Sequence, residues 1–143
     1  MNDKEKATIF ESLKKCEQII AESARTAGEP EEAEVRSINN ERLAIALSEF
    51  GSYVADVIDM TQKQKDYLDQ LFESEKIRRM DGGESATKAE SLVKTDLEFM
   101  GQLTKLRSLQ RSENVLKRKE KSMYSILDQS RSRLSLVNKD RAN

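Results

Sequence analysis

Arg107, Arg111, Arg118 and Lys121 follow one another at steps of four, seven and three. In a helix that spacing sets four cations on one face. Asn114 and Ser125 fall on the same face, Lys105, Lys117 and Lys119 flank it, and Arg131 and Arg133 extend the positive charge. A row of fixed cations can track a phosphate backbone, displacing its counterions. Lys105, Arg107, Arg111, Lys117, Arg118, Lys121, Arg131 and Arg133 are therefore the candidate nucleic-acid contacts. Tyr124 alone lies nearby to stack on a base, so such binding would be indifferent to sequence. The same row also reads as a solvated helix face, or as a complement to the acidic segments of another copy. A membrane surface fits less well, because the apolar side lacks the Trp and Phe of an interfacial helix.

Catalytic chemistry finds little to work with. The chain has no His, hence neither the commonest general base nor a usual zinc or haem ligand. There is no Gly-rich phosphate loop and no nucleophile elbow. Carboxylate pairs such as Glu73 and Glu75 sit in acid-rich helical sequence and read as surface. The one thiol, Cys16, falls in an apolar stripe and reads as a small core residue. The expectation is a protein that is not an enzyme and uses no cofactor or metal.

The elements that must carry the cationic row follow from composition. Of 143 residues, 36% are charged, 36% hydrophobic and only 5% aromatic, with no Trp and one Pro. That balance marks long amphipathic helices. The expected fold is all-α: a long antiparallel helical hairpin or coiled coil with an additional N-terminal amphipathic helix. The net charge of −1 hides a division. Residues 1–104 hold 14 basic and 22 acidic side chains, residues 105–143 hold 11 and 4. Such asymmetry points to an anionic partner or to association through opposite ends.

Three segments are expected. Residues 1–27 form the first helix, with Ile9, Leu13, Cys16 and Ile20 in its stripe and Phe10 and Ile19 widening it. Residues 28–38 form an acidic linker around Gly28 and Pro30, although Pro30 could also open a helix early. Residues 39–143 form the hairpin. Asn39 or Asn40 would cap its first arm, which carries Leu43, Leu47, Phe50, Val54 and Ile58. Gly51 would permit a close helix approach. The bend falls at Gly82-Gly83, where positive φ is tolerated, with Ser85 or Thr87 capping the return. The second arm starts near Ala86 and carries Leu92, Phe99, Leu103 and Leu106. Ile9, Leu13, Ile20, Leu43, Leu47, Phe50, Val54, Ile58, Leu92, Phe99, Leu103 and Leu106 are the candidate seam for another copy or a partner. Tight packing should weaken past residue 109, leaving 110–137 to project or to meet the first helix, and 138–143 should fray. No apolar run suits a membrane span or a signal sequence. A single Cys fits a reducing interior.

Ile77-Arg78-Arg79-Met80-Asp81-Gly82-Gly83 and Ala89-Glu90-Ser91-Leu92-Val93-Lys94-Thr95-Asp96, an Arg-bearing arm reaching a bend and then a second long helix, resemble the UvsY-like recombination mediators, small phage-encoded accessory proteins. The resemblance covers about residues 60–130. It implies an oligomer that binds single-stranded DNA and helps to load a recombinase, in the host cytoplasm. The acidic first arm and the N-terminal helix depart from that pattern, and no site residue carries over. The lead expectation is thus a homo-oligomeric accessory protein that binds single-stranded DNA or RNA. The alternative is a protein–protein module, either a coiled-coil scaffold or a small inhibitor docking on a host or viral protein.

Overall fold

The computed structural model describes residues 1–142. The fold is all-α, a long helical hairpin with an additional N-terminal helix. Its helices are α1 (Asp3–Arg25), α2 (Glu32–Asp81), α3 (Ala86–Lys94) and α4 (Leu97–Ala142). Two compact units divide it: Met1–Ala55 with the chain from Val115 onward, and Asp56–Asn114.

In the first unit, α1 packs with the first part of α2 and the last part of α4. Asn2 caps α1 through a reciprocal box, its Oδ1 accepting from Glu5 N while its own N–H donates to Glu5 Oε2, each at 2.8 Å. The box satisfies two amides that the first turn leaves open. The buried residues of α1 are Ile9, Ser12, Cys16, Ile19 and Ser23. The seam is therefore turned slightly from the expected stripe. Leu13 and Ile20 are half-buried, and Phe10 is exposed beneath Lys14. Ser12 and Ser23 take seam positions beside Ile9, Cys16 and Ile19.

The linker expected over 28–38 shrinks to residues 26–31, with Gly28 at φ 83°. Asn39 and Asn40 are consequently not caps; both lie buried inside α2. The early start offered at Pro30 is close to the one found, with α2 beginning at Glu32. Glu32 is held by the nearby Arg36 and by Arg133 from the last part of α4.

Along α2 the steps 43, 47, 50, 54 and 57 are all buried, the four-three repeat of two helices that stay in contact. Strict alternation leads from Val54 to Val57, and Ile58 faces outward. The segment 110–137 meets α1 and α2 and does not project: Leu116, Met123, Leu127 and Ser130 are buried. Helix persists to Ala142 where fraying was expected, and Arg141 donates to the carbonyl of Pro30 at 3.3 Å. Asn143, the last residue of that expectation, lies outside the described residues.

In the second unit, the end of α2, α3 and the start of α4 form the bend of the hairpin. Glu84 N donates to Arg79 O at 3.1 Å and Gly83 N to Met80 O at 3.0 Å. This is the paired closure that ends many helices, and Gly83 holds the φ of 102° it requires. Ser85, not Thr87, caps the return helix by accepting from Lys88 N. The second arm is not continuous from Ala86. It breaks at Thr95-Asp96, where Thr95 Oγ1 bonds back to Leu92 O and Asp96 Oδ1 accepts from Glu98 N and Phe99 N. Ala89 and Val93 bury α3, Phe72 meets Phe99 with ring centroids 5.9 Å apart, and Lys76–Glu90 and Arg79–Asp96 tie the two sides of the bend.

Candidate nucleic-acid interface

The cationic residues of α4 stand where they do because the opposite side of that helix is apolar. Leu106 and Leu109 are buried in one unit, Leu116, Met123 and Leu127 in the other. Side chains half a turn away must then face solvent. In the second unit, Lys105, Arg107 and Arg111 are exposed. In the first unit, Lys117, Arg118 and Lys121 are exposed, with Ser125 as a polar neighbour on the helix and Tyr124 partly exposed.

Partners separate these cations into two groups. Among the described residues, Lys105, Arg107, Arg111, Arg118 and Lys121 make no ion pair or side-chain hydrogen bond. Arg131 and Arg133 belong to the other group. Arg131 lies 3.8 Å from Asp128. Arg133 reaches the buried Glu32, its Nε donating to Oε1 at 3.1 Å and its Nη2 to Oε2 at 3.4 Å. Both arginines thus have partners within the chain: Arg131 in an exposed pair at the surface, Arg133 as a clasp on a buried carboxylate. Lys119 is drawn in a similar way toward Glu17 on α1, at 3.9 Å.

The clasp is part of a polar cluster that the sequence reading passed over. Arg36 Nη1 donates to Ser130 Oγ at 2.9 Å, and Ser130 Oγ donates to Asn40 Oδ1 at 2.6 Å. Arg36 also lies 3.6 Å from Glu32. The hydrogen bond from Arg133 holds the Glu32 carboxyl below its ordinary pKa, against the opposing effect of burial. A signal was present: counting back from Leu43 in steps of three and four reaches Asn40 and Arg36. Charged and amide side chains at seam positions imply a buried network.

Most of the candidate seam packs inside this chain. Ile9, Leu43, Leu47, Phe50, Val54 and Leu106 are buried, whereas Leu92, Phe99 and Leu103 are half-buried. The buried side chains are occupied by intramolecular contacts, whereas the half-buried ones and the exposed Ile58 keep part of their surface outward. Burial pushes the Cys16 thiol above its ordinary pKa, which keeps it protonated and unreactive. Among the described residues, no cluster of His, Cys, Asp or Glu could hold a metal ion, and no helix is long and apolar enough to cross a membrane.

Fold and surface together define an all-α hairpin protein with a cationic helix flank. Compared with models of known protein families, with curated proteins and with solved structures, the chain matches none.

Proposed function

We propose that this chain is a non-enzymatic, oligomeric accessory protein that binds single-stranded nucleic acid without sequence preference, in recombination or replication of the phage type. The observation that carries the reading is the exposure of Lys105, Arg107, Arg111, Arg118 and Lys121 without carboxylate partners among the described residues. Arginines that serve the fold here are engaged with Glu32, Glu75 or Asp96. Unengaged guanidiniums can turn to phosphate oxygens without first giving up an intrachain bond. Sparse aromatic side chains favour backbone contact over base readout. The resemblance to UvsY-like mediators supplies the biological setting of the proposal, and with it a cytoplasmic location and a recombinase as a further partner.

The test is the binding of labelled single strands of unrelated sequence. Equal affinity across sequences is expected, with a loss of tenfold or more on Arg111→Glu plus Arg118→Glu. Retained affinity in that double variant would remove the basis of the proposal.

The rival reading, a protein–protein module, has its own support in exposed apolar side chains, with Ile45 70% and Leu97 85% exposed. It calls for a stoichiometric protein complex that survives nuclease and is lost on Leu97→Ser.

A further inference from the structure

A cleft of about 350 Å³ opens between α1, the first part of α2 and the last part of α4, within a single unit. Ile20, Leu43 and Ile126 give it an apolar wall, while Arg36, Asn40 and Arg133 bring nitrogen donors to it. Every charged residue lining it is cationic, and none is a carboxylate. The two arginines share one direct counterion, Glu32, which lies outside the lining. Asp140 acts on Arg133 only as a further, longer-range charge. Two cations and one anion leave an uncompensated positive charge here, with Arg36 buried and Arg133 half-exposed at the cleft mouth, and a compensating negative charge is worth most on the buried side.

The hydrogen-bond count points the same way. Arg36 Nε and Asn40 Nδ2 are buried and have no acceptor. Their residues are only 9% and 7% exposed. Both orphan groups are donors closed off from solvent beside the cleft, so an acceptor that reached them through a small side-chain opening would answer both the charge and the bonding. Orphan buried donors of this kind are uncommon in folded proteins and call for an explanation.

We infer that this cleft binds a small amphiphilic monocarboxylate. Its head would take up the donors of Arg36, Asn40 and Arg133, and an aliphatic or single-ring body would lie along Ile20, Leu43 and Ile126. One negative charge balances the triad of Glu32, Arg36 and Arg133, and a planar carboxylate matches the two-pronged donor geometry of a guanidinium. The volume falls at the small end of ligand sites, which excludes a bulky head. This inference is independent of the nucleic-acid reading, because the cations it uses are the ones engaged inside the fold.

Octanoate, octanol and inorganic phosphate are suitable probes, titrated into the full chain while methyl and amide resonances are followed. Octanoate is expected to bind once per chain, saturably, moving the methyl signals of Ile20, Leu43 and Ile126. Octanol and phosphate should each bind at least about tenfold more weakly, since each lacks half of the match. Arg36→Met would remove the head contact but endangers the fold. Ala24→Phe is the safer variant, as Ala24 is an exposed residue at the cleft, and it should abolish octanoate binding with little change in melting. Absence of saturable binding, equal affinity for octanol, or unchanged affinity in Ala24→Phe would each overturn the inference.

Discussion

Replacing Glu32 with Gln keeps its shape and leaves the Arg36 and Arg133 guanidiniums facing a neutral amide. Because the folded-state pKa of Glu32 is depressed, chiefly by the bond from Arg133, its stabilisation is complete above the unfolded carboxylate value of about 4.3. It is lost as pH falls through the lower, folded value. Melting curves should therefore show Glu32→Gln well below the wild type at neutral pH, with the gap closing under acid. A gap independent of pH would contradict the ionic role. Two glycines make an opposed pair at this same scale. At Gly83, whose φ is 102°, Ala should cost about 1–2 kcal/mol of left-handed strain. At Gly51 an added Cβ would lie 2.8 Å from Glu120 Oε2 and meets no backbone. That approach comes from the far end of a flexible side chain, not from a neighbouring helix axis as expected. Gly51→Ala should accordingly stabilise by up to about 1 kcal/mol through helix propensity, as read from chemical denaturation.

Helix boundaries show which parts of the chain speak locally. The end of α2 was legible because every signal for it is adjacent: the Gly pair, the basic last turn and Ser85 lie within eight residues. The start of α2 was legible only as an alternative, a helix opening early near Pro30, and its partner Arg133, 101 residues away from Glu32, was not. The α3–α4 break falls between. No Gly or Pro marks it, yet Asp96 directly before a helix is a capping residue by type. Asp96→Ala should cost about 1 kcal/mol and speed amide exchange at Glu98 and Phe99, the two groups it now accepts from. Unchanged exchange there would mean that the break is fixed by packing of Val93 and Phe99 instead. The seam residues were readable wherever the four-three count was kept, and misread at Ile58 where a step of four was taken twice.

For the molecule as a whole, the charge division between residues 1–104 and 105–143 matters through ionic strength. In the proposed complex, contacts of a single strand with the outward cations of α4 would release counterions, and the logarithm of affinity would fall with that of salt by about 0.7 for each phosphate neutralised. Four such contacts give a slope of about −3. Arg111→Glu plus Arg118→Glu should flatten it by roughly half. A slope near zero in the wild type would instead favour a partner held by apolar side chains. The candidate interface was legible to the extent that periodicity dictates outwardness, as at Arg107 and Arg118. It was illegible where a cation's fate depends on what a distant helix brings to it, as at Arg133 and Lys119.

The bond of Arg36 to Ser130 and that of Gln64 to Gln102 also act as a vernier. An apolar ladder of Leu and Val permits one helix to slip past its neighbour by a whole heptad at small loss. Seven residues of slippage would set Arg36 against Met123 or Val137, and Gln64 against Leu109. Either mismatch strands a desolvated polar group in hydrocarbon. Of the sliding alignments that greasy contacts tolerate, these two polar rungs admit one.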